Sequence, residues 1–359
     1  METFKSIFTL RAEASSSLME LLEKNTLGTN GAKYKHLDTA RRMKLLYNPL
    51  FLSLERNEKC LGNVTFCRRE KQWYVRYFAF DALVQGAGKT PSKKKNSILK
   101  TNLNAFFSDK LRSGEAESFY AYIDPKNVKS LWMSEQFHFV EKANIATQTF
   151  SRVHPSAKIE IEKCDDKAQI KSLVKEHFGD QKYFFDYHIY SNTDPFYVAK
   201  KEGEIIAFAK FHYANWKFKR LPGKMGGLLT KLIPYIPGLR KIIKPKAHSF
   251  LAPEAVWVKN NNSTLLEKFY ESVLHAEKRN LILWWIDEKN PLYIKSGPHI
   301  NWGILHKING VHQVKLVEIN PTRNSIPYEK EVYSCAFDFI YDSNNIPLIV
   351  EVSYGFASS

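Results

Sequence analysis

The chain is predicted to be a mixed α/β protein built from two copies of one unit, each a central mixed β-sheet flanked by helices. Three observations predict it. Short apolar-alternating runs interleave with helical patterns along most of the sequence. Three blocks recur in the same order in the two halves. The length of 359 residues, with 44% hydrophobic and 25% charged residues, suits two globular domains. The copies are expected at residues 1–154 and 155–359, meeting near His154-Pro155-Ser156.

Each copy opens with a strand, Phe4–Ala12 or Ile159–Cys164, and a helix, Ser15–Lys24 or Asp166–His177. The first repeated block follows. Phe51–Phe66 (FLSLERNEKCLGNVTF) aligns without gaps on Phe196–Phe211 (FYVAKKEGEIIAFAKF). Each reads as a β-hairpin: an alternating run, a charged turn, and a second run with a small residue at Gly62 or Ala207. A further strand comes next, Trp73–Asp81 or Leu251–Val258. The second block is a helix opened by Asn96-Ser97-Ile98-Leu99 or Asn262-Ser263-Thr264-Leu265, where Asn or Ser is a favoured N-cap. The third is a buried-type strand ending in Ile-Asp-x-Lys-Asn, SFYAYIDPKN at Ser118–Asn127 and LILWWIDEKN at Leu281–Asn290. Helical segments at Val128–Gln136 and Leu292–Ser296 follow. A final strand pair is expected to close each copy, in the second at Gln313–Ile319 and Val332–Tyr341, with one more strand over Ile346–Phe356. Three blocks in one order argue for an internal duplication.

With 53 Lys and Arg against 37 Asp and Glu, the formal charge is +16. Such a surplus speaks to partners, not to fold. Two segments concentrate it: Lys93-Lys94-Lys95, and Lys217–Lys246, which holds nine basic residues and no acidic one. The second segment lengthens the second copy and reads as an insertion at about 217–247, which Pro234 and Pro237 divide into two short amphipathic pieces. No run of about 18 apolar residues exists, which excludes a spanning helix of the usual length. The N-terminus has no signal-peptide pattern. Cys60, Cys67, Cys164 and Cys335 form neither a C-x-x-C pair nor a zinc-ligand spacing, and read as free thiols of a cytoplasmic protein. Gly86-Ala87-Gly88-Lys89-Thr90 fails as a nucleotide P-loop: that motif needs a glycine at Leu83, and Pro91 opposes a helix starting at the lysine. No His-Glu-x-x-His or Gly-x-Ser-x-Gly occurs, so neither metal nor serine-hydrolase chemistry is indicated.

The order of elements resembles the GNAT acyltransferase superfamily, written twice, over nearly all of residues 1–340. The hairpin at Phe51–Phe66 looks like that fold's second and third strands. Asn127 to Phe139 (NVKSLWMSEQFHF) resembles the family's Asn-x-x-Ala…Tyr-x-x-x-Gly-Phe segment after the fifth strand. The resemblance implies an acyl-CoA-dependent N-acyltransferase, with acetyl-CoA or a longer acyl-CoA as donor and an amine acceptor that the sequence does not specify. In tandem members often only one half binds acyl-CoA.

The family holds the CoA pyrophosphate on a Gly-rich loop at the start of its central helix, where free backbone N–H groups and the helix dipole attract an anion. The resemblance therefore points to Gln85, Gly86 and Gly88, which match the loop in part, and to Lys93, Lys94, Lys95, Asn96 and Ser97 at the helix start, with Asn127 as a further cofactor contact. The equivalent place in the second copy, Asn260–Ser263, is short and uncharged, so the first copy is favoured. The family's base often lies on the fourth strand, where Asp81 is the only carboxylate. Its acid is commonly a Tyr at the position held here by Ser134, and its Gly is His138. Glu254 and Asp287 occupy corresponding neighbourhoods in the second copy. A non-catalytic binding protein on the same fold is the alternative. Lys217–Lys246 would then dock on an anionic surface, membrane lipid in preference to nucleic acid, since the segment matches no nucleic-acid-binding fold.

Overall fold

A computed structural model describes residues 7–24, 26, 33–80, 98–191, 193–221, 226–321 and 327–334. The first half contains β1 (Thr9–Arg11), α1 (Ser16–Lys24), β2 (Lys33–His36), α2 (Thr39–Lys44), β3 (Pro49–Arg56), β4 (Lys59–Arg69), β5 (Gln72–Phe80), α3 (Ile98–Arg112), β6 (Ser118–Ile123), α4 (Val128–Gln136) and β7 (Val140–Ser151). The second contains β8 (Glu162–Lys163), α5 (Lys167–Phe178), α6 (Tyr187–Ser191), β9 (Phe196–Lys201), β10 (Glu204–Arg220), α7 (Gly226–Leu232), α8 (Leu239–Ile242), β11 (His248–Val258), α9 (Ser263–Ala276), β12 (Leu281–Asp287), α10 (Pro291–Ser296), α11 (Ile304–Asn309) and β13 (His312–Ile319).

The strands of both halves join into one mixed sheet in the order β1-β3-β4-β5-β6-β13-β7-β12-β11-β10-β9-β8, with β2 paired to β10. Among the strand pairs of the described residues, β5–β6 and β11–β12 are the parallel ones. A parallel pair needs a long crossover, and α3 and α9 lie in those two connections. The two hairpins share one register. Leu54 faces Gly62 and Ser53 faces Asn63; by the offset that takes Phe51 to Phe196, Ala199 faces Ala207 and Val198 faces Phe208. Both also carry a register shift at the same place, between Leu54/Glu55 and between Ile205/Ala207. The repeat in the sequence is thus a repeat in hydrogen bonding.

The Ile-Asp-x-Lys-Asn blocks have a physical role. Asp124 Oδ1 accepts from Lys126 N, and Asp287 Oδ1 from Lys289 N. The Asn side chains then cap the next helices: Asn127 Oδ1 accepts from Ser130 N at 3.1 Å, and Asn290 Oδ1 from Leu292 N at 2.9 Å. Strand end, Asx turn and N-cap are fused in one five-residue block.

The ends differ from the expected closing strand pairs. Each half supplies one long last strand among the described residues, and the two strands cross over. β13 lies between β6 and β7, while β7 pairs with β12 from Leu281↔Ser151 to Asp287↔Ile145. The strand pairings therefore run through the boundary expected near residue 154. Val332 makes an isolated bridge to Lys182, and 335–341 and 346–356 lie outside the described residues. Of the expected strand Phe4–Ala12, Thr9–Arg11 form β1 and residues 4–6 lie outside the described ones, while β8 is shorter than Ile159–Cys164. β2 and α2 were not predicted. The basic insertion begins inside β10, whose last residues pair with β2; α7 and α8 then form the two pieces on either side of the prolines.

Three buried clusters cover the two sheet faces. One spans both halves beneath α1 and α5. The second lies under α9 and α10, and the third under α3 and α4. Gly303, before α11, has φ 90° and ψ −175°, and an added Cβ would stand 2.1 Å from Ser151 O. That backbone region is essentially glycine-only, at about 1–3 kcal/mol for other residues, and the clash is with main chain. Gly303→Ala is expected to destabilise by at least that amount, read as a lowered urea midpoint with unchanged slope.

Candidate active site

The site is built by two parallel strands that separate. β5 and β6 pair only at Gln72↔Ser118, Trp73↔Phe119 and Tyr74↔Tyr120. On its other side β5 carries a bulge. Thr65 faces Tyr77 but Phe66 faces Val75, so Arg76 is the extra residue. A bulge bends its strand and ends regular pairing. Past it, β5 and β6 border a narrow, half-open cleft of about 60 Å³. Val75 and Phe78 come from β5, Ala121 and Ile123 from β6, and Phe107 from α3. Ser130, Met133 and Ser134 of α4, with Phe137 at its C-cap, form one wall, and Phe139 and Val317 complete it. Among these lining residues none is ionisable. The cleft is lined almost wholly by apolar side chains.

The second half has the same elements but a filled interior. Its central strand β11 also bulges: Lys210 faces Glu254 and Phe208 faces Trp257, with Ala255 at φ 51°. Leu251↔Ile282 is the parallel contact to β12. By the offset that takes Ser118 to Leu281, Ala121 corresponds to Trp284. The Trp284 indole is 2% exposed and stacks on Trp302 with centroids 6.2 Å apart. Val258, Leu266, Ile286 and Leu292 are buried around it. A methyl group on one side and two indoles on the other set the difference between the halves.

Of the residues expected at the site, Asp81, Gln85, Gly86, Gly88, Lys93, Lys94, Lys95, Asn96 and Ser97 lie outside the described residues. They connect the end of β5 to the start of α3. The first turn of α3 holds no acidic residue. Asn127 is buried and its Oδ1 caps α4. Ser134 does line the cleft, but its hydroxyl donates to Leu131 O at 2.7 Å. His138 takes φ 64°, the conformation in which the family's glycine would be unstrained. At the second helix start Asn262 Oδ1 already accepts from Leu265 N at 2.9 Å.

The side-chain constellation that the sequence did not reveal lies on the other face of the second half. His212 Nε2 is 2.7 Å from Glu254 Oε2, and Nδ1 is 3.0 Å from Asp194 Oδ2. Tyr333 OH donates to Glu254 Oε1 at 2.9 Å, and Arg41 Nη2 to Asp194 Oδ1 at 3.3 Å. Lys210 Nζ donates to Ile189 O at 3.1 Å. Burial pushes the His212 imidazole down, but its bonds to the two carboxylates outweigh that and hold it above its ordinary value. Burial likewise works against the Asp194 carboxylate, yet His212, Arg41 and Lys210 keep it below its ordinary value. Burial lowers the Lys210 ammonium. His212 is 0% and Glu254 1% exposed, so no substrate touches them in this conformation. The chain of charges ties α2, β10, β11 and the Tyr333 segment together.

A second concavity, about 830 Å³, lies at the opposite end of the β5–β6 pair, at the seam of the halves. Arg69, Lys142 and Lys182 line it with Glu70, Asp180 and Glu329. At its floor Glu318 accepts from Tyr183 and Tyr328 at 2.8 and 2.6 Å. Its mixed charge selects no ligand class.

No protein-family model matches the chain, and no curated protein matches it. Solved structures do. Saccharomyces cerevisiae N-myristoyltransferase with bound myristoyl-CoA aligns over 89% of this chain and 80% of its own, at 8% identity and TM-score 0.54. A further structure of that enzyme covers 92% of this chain and 90% of its own, at 9% identity and TM-score 0.53. A GCN5-related N-acetyltransferase from Sphaerobacter thermophilus covers 91% and 100%, at 13% identity and TM-score 0.49. The chain has the tandem GNAT fold, the fold of acyl-CoA N-acyltransferases.

Proposed function

We propose that the chain is an acyl-CoA-dependent N-acyltransferase whose donor site is the β5–β6 cleft of its first half. The observation that carries this is the contrast between Ala121 and Trp284: the same place in the two halves is open in one and plugged in the other. Supporting it, N-myristoyltransferase of the same fold binds myristoyl-CoA. The separated edges of β5 and β6 suit a ligand that carries amides in an extended arm, since such a ligand adds to a sheet edge as a strand does. CoA has such an arm. The apolar walls favour a longer acyl chain over acetyl, at about 0.8 kcal/mol for each buried methylene. The CoA phosphates are assigned to the stretch of sequence between β5 and α3, with Gln85, Gly86, Gly88, Lys93–Lys95, Asn96 and Ser97 as the proposed contacts. Asn127 acts by fixing the start of α4.

The reaction joins an amine nitrogen to the thioester carbonyl carbon, breaks the C–S bond, and moves the amine proton in net to the departing CoA thiol. A backbone N–H beside the Arg76 bulge is suited to the developing oxyanion. With no ionisable group in the described lining, the base is Asp81 or a water reached from the acceptor side. Ser134 serves in this reading as wall, its proton held by Leu131. The lack of an acid or base in that lining favours one rival, an acyl-CoA-binding protein without turnover. The reading places the protein in the cytoplasm, where acyl-CoA is available and Cys60, Cys67 and Cys164 stay reduced.

Thermal unfolding with CoA, acetyl-CoA and a series of longer acyl-CoA esters tests the proposal. A ligand at 100 times its dissociation constant adds about 2.7 kcal/mol to native stability. Stabilisation that grows with chain length is expected. No shift with any ester would overturn the donor site. A shift with no thiol released across an amine screen would support the binding protein instead.

A further inference from the structure

Cations gather on one edge of the second half more densely than folding alone would favour. In the β2–β10 ladder Lys35 stands opposite Lys217, and Lys33 opposite Arg220. Like charges directly opposite one another destabilise a sheet. Lys217, Lys219, Lys231, Arg240, Lys241, Lys244 and Lys246 are all exposed, and 217–246 contains no acidic residue to offset them. Among the described residues none of these seven forms an ion pair.

The segment is seated on the body of the protein by some of its apolar residues, while others are exposed. Ile233 and Ile242 are buried, and Leu221 N donates to Thr230 Oγ1 at 2.9 Å. By contrast Leu228 is 47%, Leu232 43% and Tyr235 81% exposed, with Ile236 beside them. An exposed aliphatic and aromatic set flanked by cations that make no described ion pair, Lys241 reaching only the His154 ring, is a poor surface for water alone. It is also a poor match for a nucleic-acid backbone, which gains nothing from leucine. It matches an anionic bilayer on both counts: lysines near the headgroups, and leucine and tyrosine in the boundary with the acyl chains. No described helix is long and apolar enough to cross a membrane, so the contact is peripheral.

We propose that β2, the end of β10, α7 and α8 form a docking surface for anionic lipid membrane, independent of the donor cleft. Co-sedimentation of the full chain with phosphatidylcholine vesicles, with and without phosphatidylserine, tests it. Retention only on the phosphatidylserine vesicles, falling as salt rises, is expected. Replacing Lys217, Lys219, Lys241 and Lys244 together by Ala should weaken binding at about fivefold per lysine, roughly several hundred-fold in all. Leu232→Ser with Tyr235→Ser keeps the charge and should cost at least about tenfold. All six side chains are exposed, so an unchanged melting temperature serves as the folding control. Equal binding to uncharged vesicles, or retention of either variant at the wild-type level, would overturn the proposal. So would binding to a single-stranded oligonucleotide in the absence of vesicle binding, which would assign the surface to nucleic acid.

Discussion

Ala121→Trp is expected to abolish stabilisation by acyl-CoA while leaving a folded protein. The substitution gives β6 the residue that β12 already carries at Trp284. An indole built from Ala121 enters the space bounded by Val75, Phe78, Phe107 and Phe137, the path proposed for the acyl arm. Overpacking costs about 1–3 kcal/mol where a core is closed. Here the cleft is open at one side, so the lower part of that range applies. The loss on the ligand side is the full stabilisation of about 2.7 kcal/mol at 100 times the wild-type dissociation constant. Calorimetric titration with a long-chain acyl-CoA checks it: heat of binding in the wild type, none in the variant, and a melting temperature only slightly lowered. Undiminished binding by Ala121→Trp would move the donor site elsewhere.

His212→Ala is expected to be the most damaging single change in the second half. It leaves Asp194 and Glu254 buried and facing each other across an empty site, although Arg41 still donates to Asp194 and Tyr333 to Glu254. Breaking a buried charge pair from one side costs about 3–5 kcal/mol. The charge also sets a pH dependence. The folded imidazolium is held above the ordinary 6.5. Its contribution is therefore complete below that value and is lost as pH rises through the elevated folded one. Asp194 is held below the ordinary 3.8, so its contribution is present above that value and fades as pH falls through the depressed one. Lys210, lowered by burial, acts in the opposite sense to His212 in the alkaline range. The informative quantity is accordingly the difference in unfolding free energy between wild type and His212→Gln across pH. It should be largest on the acid side of neutrality and shrink toward alkaline pH. A difference independent of pH would mean that the fold leaves the imidazole's titration unshifted, and one that grows toward alkaline pH would mean that it is held neutral.

The pattern of apolar residues and turns was enough to read the repeat, down to the hairpin register, because Phe51–Phe66 and Phe196–Phe211 keep the same alternation on both sides of a charged turn. The helix over Val128–Gln136 was legible because Asn127 caps it and the strand before it ends in a recognisable turn. The crossing of β7 and β13 was not, since which long terminal strand fills which slot is decided by pairing between residues far apart, such as Lys315 with Ile123 and Leu281 with Ser151. β2 was missed because KYKH mixes charge with one buried tyrosine, and only the extended β10 gives it a partner. At the site, the sequence offers Ser134 at the family's acid position; that it lines the cleft with its hydroxyl on Leu131 O depends on helix geometry, which no local pattern shows. The His212 constellation draws Asp194, His212 and Glu254 from three separate segments, and nothing local in the chain marks them as neighbours. The open cleft of the first half came down to one residue pair, Ala121 against Trp284. Both stood in the aligned blocks, but their meaning depends on what α3, α4 and Trp302 place above them.

Amide hydrogen exchange with and without a saturating long-chain acyl-CoA tests the central claim most directly, because it reports where the ligand lies without an acceptor. The account predicts added protection in peptides covering Val75–Phe80 and Ala121–Phe139, and little change across Val256–Ser296. Protection confined to the second stretch, or none in either, would contradict it.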